Sequence, residues 1–527
     1  MRLKPLAQVL ALAGLLLGGT ALTMPAMAQE KTITGGFDVG PGGFPNNFNP
    51  LVATGGFMWL KTYFEPLVIY NAELDALEGA LASEWTVSED QLTYTFTLVE
   101  ETWHDGEAFD AEDVKFTLDL ARNAESGSVF AARLSAIESV EATDERTVTL
   151  RLNQTNASLL SVLAQVMILP EHALGEEDVA NIANSDWWST EAIGTGPFMF
   201  SRYVTDQYVE VVADEDYRLG RPKVDRLINR YFENPAAAVS ALRAGEIQFT
   251  YVESDDATTF ANDANFEVIE GNSFVVNYIG FNQMVGIWED VRVRQAVMHA
   301  IDRNAIIESL YGGAAQIANC GYVAPHLVPE GLNEYPYDPE LARQLLAEAG
   351  WDEINGNAPI TWLTYYDSPQ AANVMAAIQA MLAQVGINVV PRVVDVPTYN
   401  GIVYQQENPA WDEFALVYAG LQNGPDPAGI NPGLNGSQLP PVGANIMRIE
   451  FDDLSAAFDA ALGETDPEQL NARWQEVCRV MNEQLPWGTM WVANRYGVAS
   501  TDLVDFVWTP APAGGPYADH PELWDIE

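Results

Sequence analysis

The sequence has little positive charge, little histidine and almost no cysteine. Its 25 Lys and Arg stand against 74 Asp and Glu, a formal net charge of −49. So acidic a surface disfavours nucleic acid and anionic membrane as partners; it favours solubility and is the kind that salt-adapted proteins carry. The five histidines (104, 172, 299, 326 and 520) form no i,i+4 pair, and neither H-E-x-x-H nor Cys-x-x-Cys occurs. No structural zinc site and no other metal site is expected. The nucleophile elbow G-x-S-x-G and the phosphate loop G-x-x-x-x-G-K-[ST] are both absent. "PDPAG" around Asp426 is too short for an EF-hand loop. Carboxylates are so numerous that counting them does not exclude a glycosidase-type pair. Beyond the first residues, no apolar run reaches the ~20 residues a membrane helix needs. Cys320 and Cys478 permit one disulfide, and two buried free thiols are the alternative.

The chain opens with Arg2 and Lys4, an apolar run from Leu6 to Leu17, and Ala26-Met27-Ala28 before Gln29. This is the pattern of a cleavable export signal over 1–28. No cysteine follows it, so a lipid anchor is not expected. Loss of Arg2 and Lys4 would take the charge from −49 to −51. About 500 further residues are too many for one core, and two or three domains are expected. No Gly/Ser linker divides them, so the domains are expected to be woven together by chain crossings.

Local patterns place the elements. "LTYTFTL" (92–98) alternates as a half-buried strand, and 139–153 reads as two strands around Asp144-Glu145. Strands are expected at 32–37, after Gly196-Pro197, in "QYVEVVA", in "RLINRYF" and over 274–282. A helix then strand is expected in "PAAAVSALRAGEIQFTYV". One long helix is predicted from Asp290 to the Gly312-Gly313 stop. Asp338-Pro339 and Asp466-Pro467 mark two further helix starts, and Gly350 an exit.

"TWHDGEAFDAEDVKF" (102–116) gathers one histidine and five carboxylates. A reactive acid cluster is one reading. Architecture explains the residues better. Asp105-Gly106 is a turn dipeptide, and Asp110 with Asp113 is a variant of the capping box. Glu112 and Asp113 favour the positive end of a helix, and Glu107 is expected in solvent.

That stretch, extended as "LASEWTVSEDQLTYTFTLVEETWHDGEAFDAEDVKFTLDLA", resembles the extracellular solute-binding proteins, family 5, of ABC importers. This is the peptide/nickel class. The likeness continues in order through "GTGPFMF" (194–200), "AVSALRAGEIQF" (238–249), "VRVRQAVMHAIDR" (291–303), "DPELARQLLAEAGW" (338–351) and "MLAQVGINV" (381–389). The resemblance implies an α/β, periplasmic binding protein-like fold (type II, cluster C). Two lobes are joined by a two-segment hinge, and a small third domain is inserted. Lobe I is expected over 29–63, 205–285 and 493–527, the inserted domain over 64–204, and lobe II over 286–492. It further implies a monomeric periplasmic receptor that delivers a small solute to a permease–ATPase complex at the inner membrane, with no cofactor and no catalysis.

In peptide-binding members an Asp after a lobe II strand holds the peptide's α-ammonium. Here Tyr418-Ala419-Gly420 matches the start of that motif, but Leu421 and Gln422 follow, and the first acid is Asp426. Peptide is the family default. An oligosaccharide-like or opine-like solute is the alternative, held by aromatic platforms and amides. The candidate ligand residues are Phe44, Asn47, Phe57, Trp59, Tyr365, Tyr418, Gly420, Gln422, Asn423 and Asp426. Readings from other classes are a secreted hydrolase using two carboxylates and a passive scaffold; the first predicts turnover, the second no ligand.

Overall fold

The computed structural model describes residues 30–38, 48–52, 57–71, 74, 76–404, 414–422, 424–440, 443–508 and 520–527. Of the candidate residues, Phe44, Asn47 and Asn423 lie outside these. Among the described residues, no helix is long and apolar enough to cross a membrane.

Period-2 apolar segments build one eleven-stranded mixed sheet. Its order is 389–393, 360–364, 416–422, 266–281, 487–500, 249–252, 32–38, 226–232, 208–213 and 198–204, with 315–317 pairing 487–500 off this path. Two long antiparallel strands, Phe266–Phe281 and Trp487–Ser500, run through its middle. Their register shifts between Asn272 and Val276. Such irregularities bend and twist a strand pair.

Core packing divides at that shift. On one side Trp362, Tyr418, Trp491 and the helix residues Val293, Val297 and Ile378 form one apolar cluster, with a second around Cys320, Tyr278 and Phe458. On the other side Ile33, Leu227, Phe249 and Trp508 join a cluster that continues into a small four-stranded sheet. That sheet has the order 82–87, 93–98, 147–152, 137–144.

The capping signals act as expected. Asp338 accepts from Leu341 N–H at 2.9 Å and starts Pro339–Ala349, and Gly350 closes that helix with φ 76°. Asp466 accepts from Glu468 N–H at 2.9 Å and starts Pro467–Gln484. The predicted long helix from Asp290 is instead two, Val291–Ala300 and Arg303–Leu310. Ile301 is extended, and the Asp302 carboxylate caps the second helix by accepting from Ala305 N–H at 2.9 Å. Arg303, buried, then donates to the carbonyls of Ala318, Thr489 and Glu334. The break aims this guanidinium at three carbonyls from separate segments. The strand expected over 274–282 begins earlier, at Phe266, because its polar first half pairs with 494–500.

Cys320 and Cys478 are joined by a disulfide, with Cα atoms 5.4 Å apart. Both are buried, and the bridge ties the chain before Tyr322 to the helix Pro467–Gln484.

Candidate functional site

The acidic stretch 102–116 is architecture. Trp103 N–H donates to Glu107 O at 2.8 Å across the Asp105-Gly106 turn, where Gly106 has φ 90°. Asp110 and Asp113 form the capping box of Ala111–Ala121. The Asp113 carboxylate is buried and accepts three N–H bonds: Trp103 Nε1 at 3.0 Å, Asp110 N at 3.0 Å and Glu171 N at 2.8 Å. Burial pushes its pKa up, and these donors oppose that rise. His104 accepts from Gly194 N–H at 3.1 Å through Nδ1 and faces Gly196 O at 2.9 Å through Nε2. Desolvation lowers its pKa, consistent with a neutral ring carrying its proton on Nε2. His172 Nε2 meets Asp105 Oδ2 at 2.9 Å. Asp110, Asp113 and His104 are spent on holding the turn to the helix and to the Gly194–Gly196 segment.

The strand register points to another place. In open sheets ligands gather beyond the carboxyl ends of parallel strands. On one side of the crossover, 360–364 runs parallel to 416–422 and 389–393. Gln422 pairs with Val275, so the carboxyl end of 416–422 lies against the register shift. On the other side, 32–38 runs parallel to 226–232 and 249–252. Val252 pairs with Tyr496, so that carboxyl end also approaches the crossover. Two sets of carboxyl ends therefore converge from opposite sides on 272–276 and 492–496.

Tyrosines build the floor on one side. Tyr418 is buried at 1% exposure, hydrogen-bonds the Tyr311 hydroxyl, and packs edge-on against Trp362 and Tyr366 at 5.9 and 5.6 Å. Trp491 Nε1 donates to the same Tyr311 hydroxyl at 3.1 Å. Tyr365 and Tyr366, just past the strand 360–364, are half-buried and 4.8 Å apart. Gly420 lies under Tyr366: a Cβ there would sit 2.5 Å from the Tyr366 hydroxyl. Gln422 ends the strand.

Trp59 belongs to the opposite core. It is 4% exposed and packs near Phe48 and Tyr231, at 6.5 and 5.8 Å. Phe57 begins the same helix, Phe57–Tyr63. The structure thus brings Tyr365, Tyr418, Gly420 and Gln422 together and places Trp59 apart, inside packing.

Asp426 caps the turn Pro427–Ile430 by accepting from Ala428 N–H at 2.9 Å. Its other neighbours come from the small four-stranded domain. Ser158 Oγ donates to Oδ1 at 3.5 Å, the Ser161 hydroxyl also faces it, and Arg133 lies within electrostatic reach. Burial pushes its carboxyl above the usual range. Sequence reasoning missed these partners, and missed Tyr311 and Trp491 beneath Tyr418. No local signal marks a contact between residues 268 positions apart.

Among the described residues, no group of three or more His, Cys, Asp or Glu is placed to hold a metal ion.

The sequence profile of the "Bacterial extracellular solute-binding proteins, family 5 Middle" matches residues 76–438. A Brucella melitensis protein provisionally named an ABC transporter peptide-binding protein is 62% identical over 527 residues, covering 100% of both chains. The oligopeptide-binding protein AppA of Bacillus subtilis, solved with a nonapeptide, superposes with a TM-score of 0.83 at 22% identity, covering 94% of this chain and 99% of that one. AgaA of A. tumefaciens, solved with agropinic acid, superposes with a TM-score of 0.78 at 22% identity, covering 94% and 99%. The fold is therefore that of the type II periplasmic binding proteins, two lobes joined at a two-strand hinge with a small inserted domain. With the profile spanning most of its length and a relative of this identity matching it end to end, the chain belongs to the bacterial extracellular solute-binding proteins, family 5.

Proposed function

We propose that this chain is the exported receptor of an ABC importer and takes a peptide between its lobes, delivering it to a membrane permease without chemical change. The observation that carries the reading is the convergence of both lobes' parallel-strand carboxyl ends on the hinge. The moving bodies are lobe I (29–63, 205–285, 493–527) with its inserted domain (64–204), and lobe II (286–492). Closure follows from a solute that binds the closed state better than the open one. Tyr365, Gly420 and Gln422 contact the peptide, and the same role is assigned to Phe44, Asn47 and Asn423. Tyr418 sets the floor behind them. The full-length Brucella relative supports the peptide class, and the export pattern at 1–28 supports a periplasmic place of work.

Asp426 is already held by Ala428 N–H and by the inserted domain, so the peptide's amino end is not bound by a carboxylate at that position. A thermal-shift screen of di- to pentapeptides, free and N-acetylated, against oligosaccharides tests both points. A peptide at a hundred times its Kd should stabilise by about 2.7 kcal/mol, and acetylation should leave the shift intact. Shifts from oligosaccharides alone overturn the peptide reading. Shifts from free-amine peptides alone overturn the assignment of Asp426.

A further inference from the structure

One end of the inserted domain reaches across to lobe II. Among the described residues, at least four hydrogen bonds cross the gap. Ala157 N–H donates to Leu462 O at 2.9 Å, and Thr155 Oγ1 donates to Gly463 O at 3.1 Å. Gln91 Nε2 donates to Thr465 O at 3.1 Å, and Ser158 Oγ donates to Asp426 Oδ1 at 3.5 Å. Three of the acceptors are backbone carbonyls where the helix Asp452–Leu462 ends and the chain turns toward Pro467–Gln484. Carbonyls at a helix end lack intrahelical partners. Here the inserted domain supplies their donors.

The fourth bond belongs to a polar cluster. Tyr70 hydroxyl donates to Ser161 Oγ at 2.7 Å, Arg133 Nη1 donates to Gln165 Oε1 at 3.1 Å, and Ser158, Ser161 and Arg133 all face Asp426. Burial shifts the Asp426 carboxyl upward and the Arg133 guanidinium downward, as expected where both are drawn out of water together. Val323 of lobe II adds an apolar contact to the core on the lobe I side.

We propose that the tip of the inserted domain, Gln91 and residues 155–158, is a closure strut that grips lobe II at 462–465 and at Asp426 and lowers the free-energy cost of closing the lobes, so that solute has less work to do. These contacts exist only when the lobes are close. They therefore bias the open–closed equilibrium by themselves, whatever the cleft contains. A receptor already biased to its binding-competent form also loses less apparent affinity to the closure step. The proposal goes beyond the receptor reading and does not depend on the solute's class.

The test uses the full chain without solute. Spin labels are placed at Val87→Cys on the inserted domain and Ile354→Cys on lobe II, both exposed positions. Their separation is read by pulsed electron spin resonance in the parent and in Gln91→Leu/Thr155→Val/Asp426→Asn. Asn caps a helical turn as well as Asp does, so the Pro427–Ile430 turn is retained and the charge is lost. The parent should show a short-distance population, and the triple variant should lose at least fivefold of it. Thr155→Val alone, which deletes one hydroxyl, should give a smaller loss in the same direction and guards against misfolding of the triple variant. A parent with no short-distance population, or a Thr155→Val and triple variant that both keep the parent's distribution, overturns the strut. No peptide enters the measurement, so its failure is distinct from a failure of the receptor assignment.

Discussion

Replacing Asp113 with alanine should unfold the inserted domain far more readily than its place in an acidic run suggests. The carboxylate is 4% exposed and accepts from Trp103 Nε1, Asp110 N and Glu171 N at 2.8–3.0 Å. Each buried donor left without a partner costs about 1–3 kcal/mol. The Asp110 and Glu171 amides sit at helix starts and regain some water, so the expected loss is about 3–5 kcal/mol rather than the full sum. Asn at 113 keeps one acceptor oxygen but turns an amide N–H toward a donor, and should lose about half as much. Urea unfolding gives the total, and hydrogen exchange over 93–118 places the loss in this domain. A loss under ~1 kcal/mol for the alanine variant, or lost solute binding at full stability, would refute the structural reading of the cluster.

Arg218 pairs with Glu65 at 2.6 and 2.7 Å and with Glu101 at 3.0 Å, all three largely buried. Arg218→Met strands two carboxylates and should cost about 3–5 kcal/mol in urea unfolding; adding Glu65→Gln and Glu101→Gln should recover part of it. His104 is held neutral, its pKa lowered by desolvation. The folded state binds its proton less readily than the unfolded chain, so this stability is full above the unfolded value of about 6.5 and is lost as pH falls. The imidazole resonances should titrate below that value, and a midpoint at or above it contradicts the assignment. Reduction of Cys320–Cys478, which closes a separation of 158 residues, should lower stability by about 5 kcal/mol in the chain-entropy treatment; calorimetry with and without reductant measures it. Gly420→Ala drives a methyl into the Tyr366 hydroxyl; it should weaken peptide binding at least tenfold by titration calorimetry while the melting point moves only a few degrees.

Local chemistry was the most legible part of the sequence. Asp110, Asp338 and Asp466 announce their helices because a cap is a contact over two or three residues. The family likeness supplied the two-lobe fold, which no local pattern encodes. The break at Ile301-Asp302 escaped because apolar spacing runs through it, and only the distant carbonyls that receive Arg303 explain it. Tyr418 and Gly420 were singled out by motif, yet which side of the sheet each of them faces depends on register against Asn277 to Ile279. Asp426 was legible as the nearest acid. Its engagement with Ser158 was not, because two domains must fold before those residues meet.

The receptor role requires that the chain bind a peptide and leave it intact. Native mass spectrometry of the purified protein after incubation with a mixed di- to pentapeptide library tests this directly. One unmodified peptide retained per chain, displaced in proportion by a second binder, is the predicted result. An empty chain at every peptide concentration, or peptides released as shortened products, would contradict it.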